Sequence, residues 1–212
     1  DPALDAYLRK ARERSAAQLA RPVAALAVPG VTRELDDNGE SPLGDLVADS
    51  VLAAGRPFGV QIAFMNNGGM RQDLDGGTAN RVTIGKALAV LPFGNKLVAM
   101  NLKGWQIEEL LEQQWRGGRD AVRGLLQVSD GFAYRWDGRR GEGSKVMPDS
   151  VTLNGVPLQK ESSYRVMVNN FLAEGGDAFP MFANGANRAG TDILAVDALT
   201  AYLVKREEMG KP

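Results

Sequence analysis

Val60-Gln61-Ile62-Ala63-Phe64-Met65-Asn66-Asn67-Gly68-Gly69-Met70-Arg71 is the stretch from which the fold can be read. An apolar run of strand length, over residues 60–65, is halted by an Asn-Asn-Gly-Gly turn with an arginine just beyond it. Two later segments share that construction: Leu91-Pro92-Phe93-Gly94-Asn95, and Asn169-Asn170-Phe171-Leu172-Ala173-Glu174-Gly175-Gly176-Asp177. Each presents a polar or aromatic group where an apolar run ends, and glycine lets the backbone turn tightly and approach a ligand closely. Displayed are one guanidinium, two rings, amides and a carboxylate, the groups needed to hold a nucleotide.

Working outward, the apolar spacing predicts further elements. Asp1-Pro2 caps a helix striped by Leu4, Tyr7, Leu8, Ala11 and Leu19, which ends before Arg21-Pro22. Residues 23–28 read as a short buried strand. Ser41-Pro42 opens a helix to about Ala54, and Thr83 caps a shorter one to Val90. Strands follow over 96–102 and 164–168, with a helix over 105–115 between them. Phe132, Tyr134 and Trp136 alternate along another strand, and Asn154-Gly155 marks a hairpin. Thr191 or Asp192 starts the last helix. Strands and helices are interspersed without strict alternation, so the expected class is α+β, with mixed β-sheets and packed helices. Residues 58–66 and 93–101 echo each other, either as two similarly built strands in neighbouring lobes or by chance.

Composition narrows the function. With 212 residues, 44% of them hydrophobic, the chain can bury a sizeable core. A formal net charge of -1 gives no electrostatic reason to expect nucleic acid or an anionic membrane as partner. No apolar run approaches the roughly 20 residues of a spanning helix. Cysteine is absent, which removes disulfides and thiolate chemistry but leaves the compartment open. Histidine is absent too, so no Ser–His pair exists and histidine-based hydrolytic metal chemistry must come from elsewhere. Oxygen-only sites for Mg²⁺ or Ca²⁺ stay open, although no carboxylate spacing suggests one.

Each candidate site residue has two readings. Arg71 can grip a phosphate or carboxylate with its planar fork, or pair on the surface with Asp73 or Asp75. Phe93 and Phe171 are either core or the two walls that stack on a flat heterocycle. Asp177, Asn66 and Asn170 either orient a ligand or cap turns. Trp105 and Trp115 read as packing, and Arg135, Arg139 and Arg140 as decoration of a hairpin tip.

Taken in order, Glu40-Ser41-Pro42-Leu43-Gly44-Asp45-Leu46, Asn66 to Arg71, Leu91 to Asn95 and Asn169 to Asp177 resemble the C-terminal domain of the 5'-nucleotidase / UDP-sugar hydrolase family. The similarity runs from about residue 23 to 206. It implies a linker helix over 1–22 and a substrate-binding domain over 23–212. It further implies Phe93 and Phe171 as stacking rings, Asn66 and Arg71 as contacts to base or phosphate, and Asp177 as the ribose-holding carboxylate. Family members often carry a second phosphate-directed arginine near the Glu-Ser segment; here Arg33 is the nearest candidate. Such proteins place two divalent metal ions in an N-terminal metallophosphoesterase domain, which this chain lacks. The expectation is therefore a substrate-recognition half, inactive alone, of an exported phosphohydrolase, located in the periplasm or at the cell surface. UDP-sugars or 2',3'-cyclic nucleotides are alternative substrates, and a non-catalytic nucleotide-binding module is the alternative class.

Overall fold

The structure, a computed structural model, describes residue 5 and residues 13–116 and 124–211. In chain order its elements are β1 (Pro22–Ala25), β2 (Gly30–Val31), α1 (Pro42–Gly55), β3 (Ile62–Asn66), β4 (Leu74–Asp75) and β5 (Arg81–Thr83). Then come α2 (Ile84–Val90), β6 (Lys96–Lys103), α3 (Gly104–Glu112), β7 (Leu126–Val128), β8 (Phe132–Ala133), β9 (Thr152–Leu153) and β10 (Val156–Pro157). The chain closes with β11 (Ser163–Asn169), α4 (Asn170–Ala173), β12 (Ala186–Leu194) and α5 (Ala195–Glu208). Residues 13–19 are helical; most of the helix predicted upstream lies outside the described residues.

The frame is a five-stranded sheet in the order β12-β6-β11-β3-β7. Only β11 and β3 run parallel; the other pairings are antiparallel. This is an α+β fold with mixed sheets. Side chains alternate across a strand, and here both faces are covered. Ala63, Met65, Leu97, Ala99 and Met167 face a core completed by α1, α2 and α5. Ile62, Phe64, Met100, Leu102, Val166 and Val168 face a second core with α3, Phe179 and Phe182. That double burial is why β3 is apolar at four consecutive positions rather than at alternate ones. Phe64 packs edge-on against Phe132, with ring centroids 5.3 Å apart. Burial of a ring of that size stabilises by about 1.5–3 kcal/mol.

Local signals set the helix starts. Ser41 accepts from the Gly44 N–H at 3.0 Å with Pro42 in the first turn, and Thr83 accepts from the Lys86 N–H at 3.4 Å. Asn154 (φ 51°) and Gly155 (φ 77°) form the left-handed pair that turns β9 into β10.

Three expectations need correction. Thr191 and Asp192 do not start a helix; they lie in β12, and α5 begins at Ala195. β12 is an edge strand that is mostly exposed, so it lacks the apolar alternation that marks a strand in sequence. The two echoing segments sit in one sheet, with β11 between them, and not in separate lobes. Trp105 is 43% exposed and is not core, whereas Trp115 is buried beside Trp136.

Candidate functional site

The parallel pairing of β3 with β11 builds the site. Val166 stands opposite Ile62 and Met167 opposite Ala63, so both strands end at the same edge of the sheet. Asn66 and Asn169, the last residues of those strands, therefore emerge side by side. β6 runs antiparallel to β11 with Leu97 opposite Asn169, so the turn that enters β6 arrives at that edge as well. The loops that deliver Arg71, Phe93 and Phe171–Asp177 thus meet in one place. Ligand sites at the carboxyl ends of parallel strands follow the same topology.

A cleft of about 440 Å³ lies there, lined by Asn66, Gly68, Gly69, Arg71, Phe93, Asn95, Phe171 and Asp177. Phe93 is 56% exposed and Phe171 46% exposed, so neither ring is core. Gly176 lies against the second ring: a Cβ there would come within 2.6 Å of the Phe171 ring carbons. Only glycine allows that approach. Asp177 follows in the left-handed region (φ 51°, ψ 28°), which Asp tolerates better than most residues.

Buried amides support the carboxylate. Asn66 Nδ2 donates to Asp177 Oδ2 at 2.6 Å, and Asn169 Nδ2 donates to Asn66 Oδ1 at 3.0 Å. Asn169 Oδ1 accepts from the Leu172 N–H at 2.8 Å, capping α4. Arg188 ties down the loop from α4 to β12. Its guanidinium donates to Ala173 O at 2.7 Å, Phe182 O at 3.1 Å and Glu174 Oε1 at 2.6 Å.

Arg71 is held without losing its charge to a carboxylate. Its backbone N–H donates to Val90 O at 2.9 Å, and Nη1 donates to Gly68 O at 3.3 Å. The guanidinium carbon lies 5.9 Å from the centre of the Phe93 ring. Asp73 accepts instead from the Arg33 N–H, and Asp75 from the Gly77 N–H. Arg33 Nη1 donates to Met70 O at 2.8 Å, which places this arginine beside the Arg71 segment but not among the cleft-lining residues.

A second cleft, about 360 Å³, runs along α3 and is lined by Trp105, Glu108, Glu109, Glu112, Arg140 and Lys160 among others. Most of its charges are engaged within the protein: Glu109 pairs with Arg116, Glu108 pairs with Lys160, and Glu112 Oε1 accepts from the Val146 N–H at 2.6 Å, while Glu112 Oε2 is buried without a hydrogen-bond partner. It has no pair of exposed rings. Among the described residues, no group of three or more Asp or Glu side chains is placed to hold a metal ion.

All five residues singled out in sequence, Asn66, Arg71, Phe93, Phe171 and Asp177, line the first cleft. Asn170 does not; it is exposed in the first turn of α4. Sequence reasoning missed Asn169, whose place in a strand end marks it only as a cap, and Asn95, which sits in a quoted segment but was given no role.

Residues 22–184 match the family described as 5'-nucleotidase, C-terminal domain. The chain belongs to this family. It is 35% identical over 176 residues to the trifunctional nucleotide phosphoesterase protein YfkN of Bacillus subtilis, covering 81% of this chain and 11% of that protein. It is 30% identical over 186 residues to the snake venom 5'-nucleotidase of Crotalus adamanteus, covering 81% of this chain and 31% of the venom protein. The crystal structure of a 5'-nucleotidase precursor from Thermus thermophilus aligns with TM-score 0.77 and 34% identity, over 96% of this chain and 40% of that one. The 5'-nucleotidase C-terminal domain here therefore spans well under half the length of these relatives. Among its described residues, no helix is long and apolar enough to cross a membrane.

Proposed function

We propose that this domain recognises nucleotides for a longer 5'-nucleotidase-type phosphohydrolase, with the hydrolytic step supplied by a separate metal-dependent domain. One observation carries the reading: two largely exposed phenyl rings share a cleft with an arginine and a hydrogen-bonded carboxylate. Exposed rings stabilise a stacked base by roughly 1–3 kcal/mol each, whichever base it is. Asp177 then accepts from ribose hydroxyls, and Arg71 donates to the phosphate, its fork backed by the Phe93 face.

The chain's residues do not fit a hydrolytic metal centre. Histidine and cysteine are absent, and the described carboxylates do not converge. The two divalent ions of such a hydrolase, which would generate the attacking hydroxide, belong in this reading to the N-terminal domain. Its location is extracytoplasmic, a reading supported by relatives named as a cell wall protein of Listeria monocytogenes and as venom 5'-nucleotidases. Calorimetric titration with adenosine and AMP tests recognition, and AMP with Mn²⁺ tests hydrolysis. Adenosine and AMP should bind without release of phosphate. Failure of both to bind overturns the reading, and chain-dependent turnover overturns the division of labour.

A further inference from the structure

Resting on that reading of the cleft, we infer that Asn169 is a positioning residue that sets the site's selectivity for a sugar bearing vicinal hydroxyls. It contacts no ligand itself; it is 1% exposed and lies behind Asn66. Its influence comes from the polarity of the amide relay. The Leu172 backbone N–H can only donate, so the atom of Asn169 facing it must be the oxygen. The other end of that amide is then the NH₂ group, which fixes the facing atom of Asn66 as its oxygen. Asn66 must in turn present NH₂ to Asp177 Oδ2, at 2.6 Å. Donors and acceptors alternate correctly from a backbone N–H to a carboxylate in this one orientation only. Reversing either amide sets oxygen against oxygen or N–H against N–H.

The relay's end state is specific. Asp177 has one oxygen occupied, and among the described residues no second protein donor reaches its carboxylate. Oδ1 is left to accept from a ligand in the cleft that Asp177 lines. Since Asp177 stands on a left-handed backbone in an exposed loop, nothing else orients its side chain so directly. The relay also needs room: a Cβ at Gly69 would sit 2.9 Å from Asn66 Oδ1.

The structural role of Asn169, capping α4, separates cleanly from this one. Asn169→Asp keeps an oxygen for the Leu172 N–H, because Asp caps helices as well as Asn. It replaces the donor towards Asn66 with an acceptor, which drives the Asn66 amide to flip and turns its oxygen on Asp177. The test is calorimetric titration of the 212-residue chain and its variants with adenosine and with 2',3'-dideoxyadenosine, which lacks both hydroxyls. Asn169→Asp should lower adenosine affinity about tenfold, as loss of a charge-assisted hydrogen bond does, and leave dideoxyadenosine affinity unchanged. Asn169→Ser, a cap too short to reach Asn66, should act the same way and serves if the Asp variant does not fold. Equal losses for both ligands, or no loss for either, overturn the inference. Asp177→Ala distinguishes the two levels. If it too fails to discriminate between the ligands, the ribose-binding reading of the cleft falls; if it discriminates and both Asn169 variants do not, only the positioning role falls.

Discussion

The two clefts are of similar size, about 440 and 360 Å³, yet they differ in what their polar groups have left to give. Along α3, Glu109 and Glu108 are paired with Arg116 and Lys160, and Glu112 gives one oxygen to the Val146 N–H while its other oxygen is buried out of reach of solvent. That cleft is the seam by which the 137–151 loop is fastened to a helix. At the sheet edge, the amides of Asn66 and Asn169 bond each other and one oxygen of Asp177, and Arg71 bonds Gly68 O, so that an exposed carboxylate and guanidinium are held in place with capacity to spare. Volume alone does not mark a site; convergent, pre-oriented and under-used groups do.

Removing the arginine from the first cleft should have the largest effect if the proposed phosphate contact holds. Arg71→Ala is expected to weaken AMP by about 2–3 kcal/mol, the worth of hydrogen bonds between charged groups, and adenosine far less. Equal losses in titration would assign Arg71 to packing. Next comes the ring that most sharply separates the two clefts. Phe171→Ala should cost adenosine roughly 1–3 kcal/mol with the melting temperature held, while Trp105→Ala in the second cleft leaves adenosine binding untouched. A Phe171 variant that melts the domain would return that ring to the core.

The reverse contrast probes the α3 seam. Glu112→Ala strands the Val146 N–H and should destabilise the fold by about 1–3 kcal/mol without altering adenosine affinity; denaturant unfolding and titration on one sample check both halves. The smallest effect lies outside either cleft. Lost hydration, reinforced by Glu40, Asp49 and Asp36, pushes the Asp45 carboxyl up to about 6, although the residue as a whole lies at the exposed surface. A raised carboxylate pKa means the ionised form is penalised in the folded state. Asp45→Asn should therefore stabilise above pH 6, by about 1 kcal/mol after solvent screening, with the gain vanishing towards pH 4. Thermal melts at pH 4 and 7.5 that shift equally would contradict this.

What was legible in the sequence is what neighbours in the chain decide. Ser41 and Thr83 cap their helices through N–H groups three residues on, and Asn154-Gly155 turns its hairpin by its own left-handed backbone. β12 was not legible, because an exposed edge strand has no apolar rhythm to announce it. The exposure of Trp105 was not legible either, since a helical spacing does not say which flank a neighbour covers.

For the cleft the division is sharper. The residue types, two rings, an arginine and a carboxylate beside glycine turns, were written in the chain, as was the family likeness that the comparisons bear out. Only the tertiary structure decided that these segments share an edge, because that depends on β3 and β11 pairing in parallel across more than a hundred positions. Asn169 belongs wholly to that second category. A buried amide's orientation is set by the groups facing it, and those groups become its neighbours only when the sheet has formed.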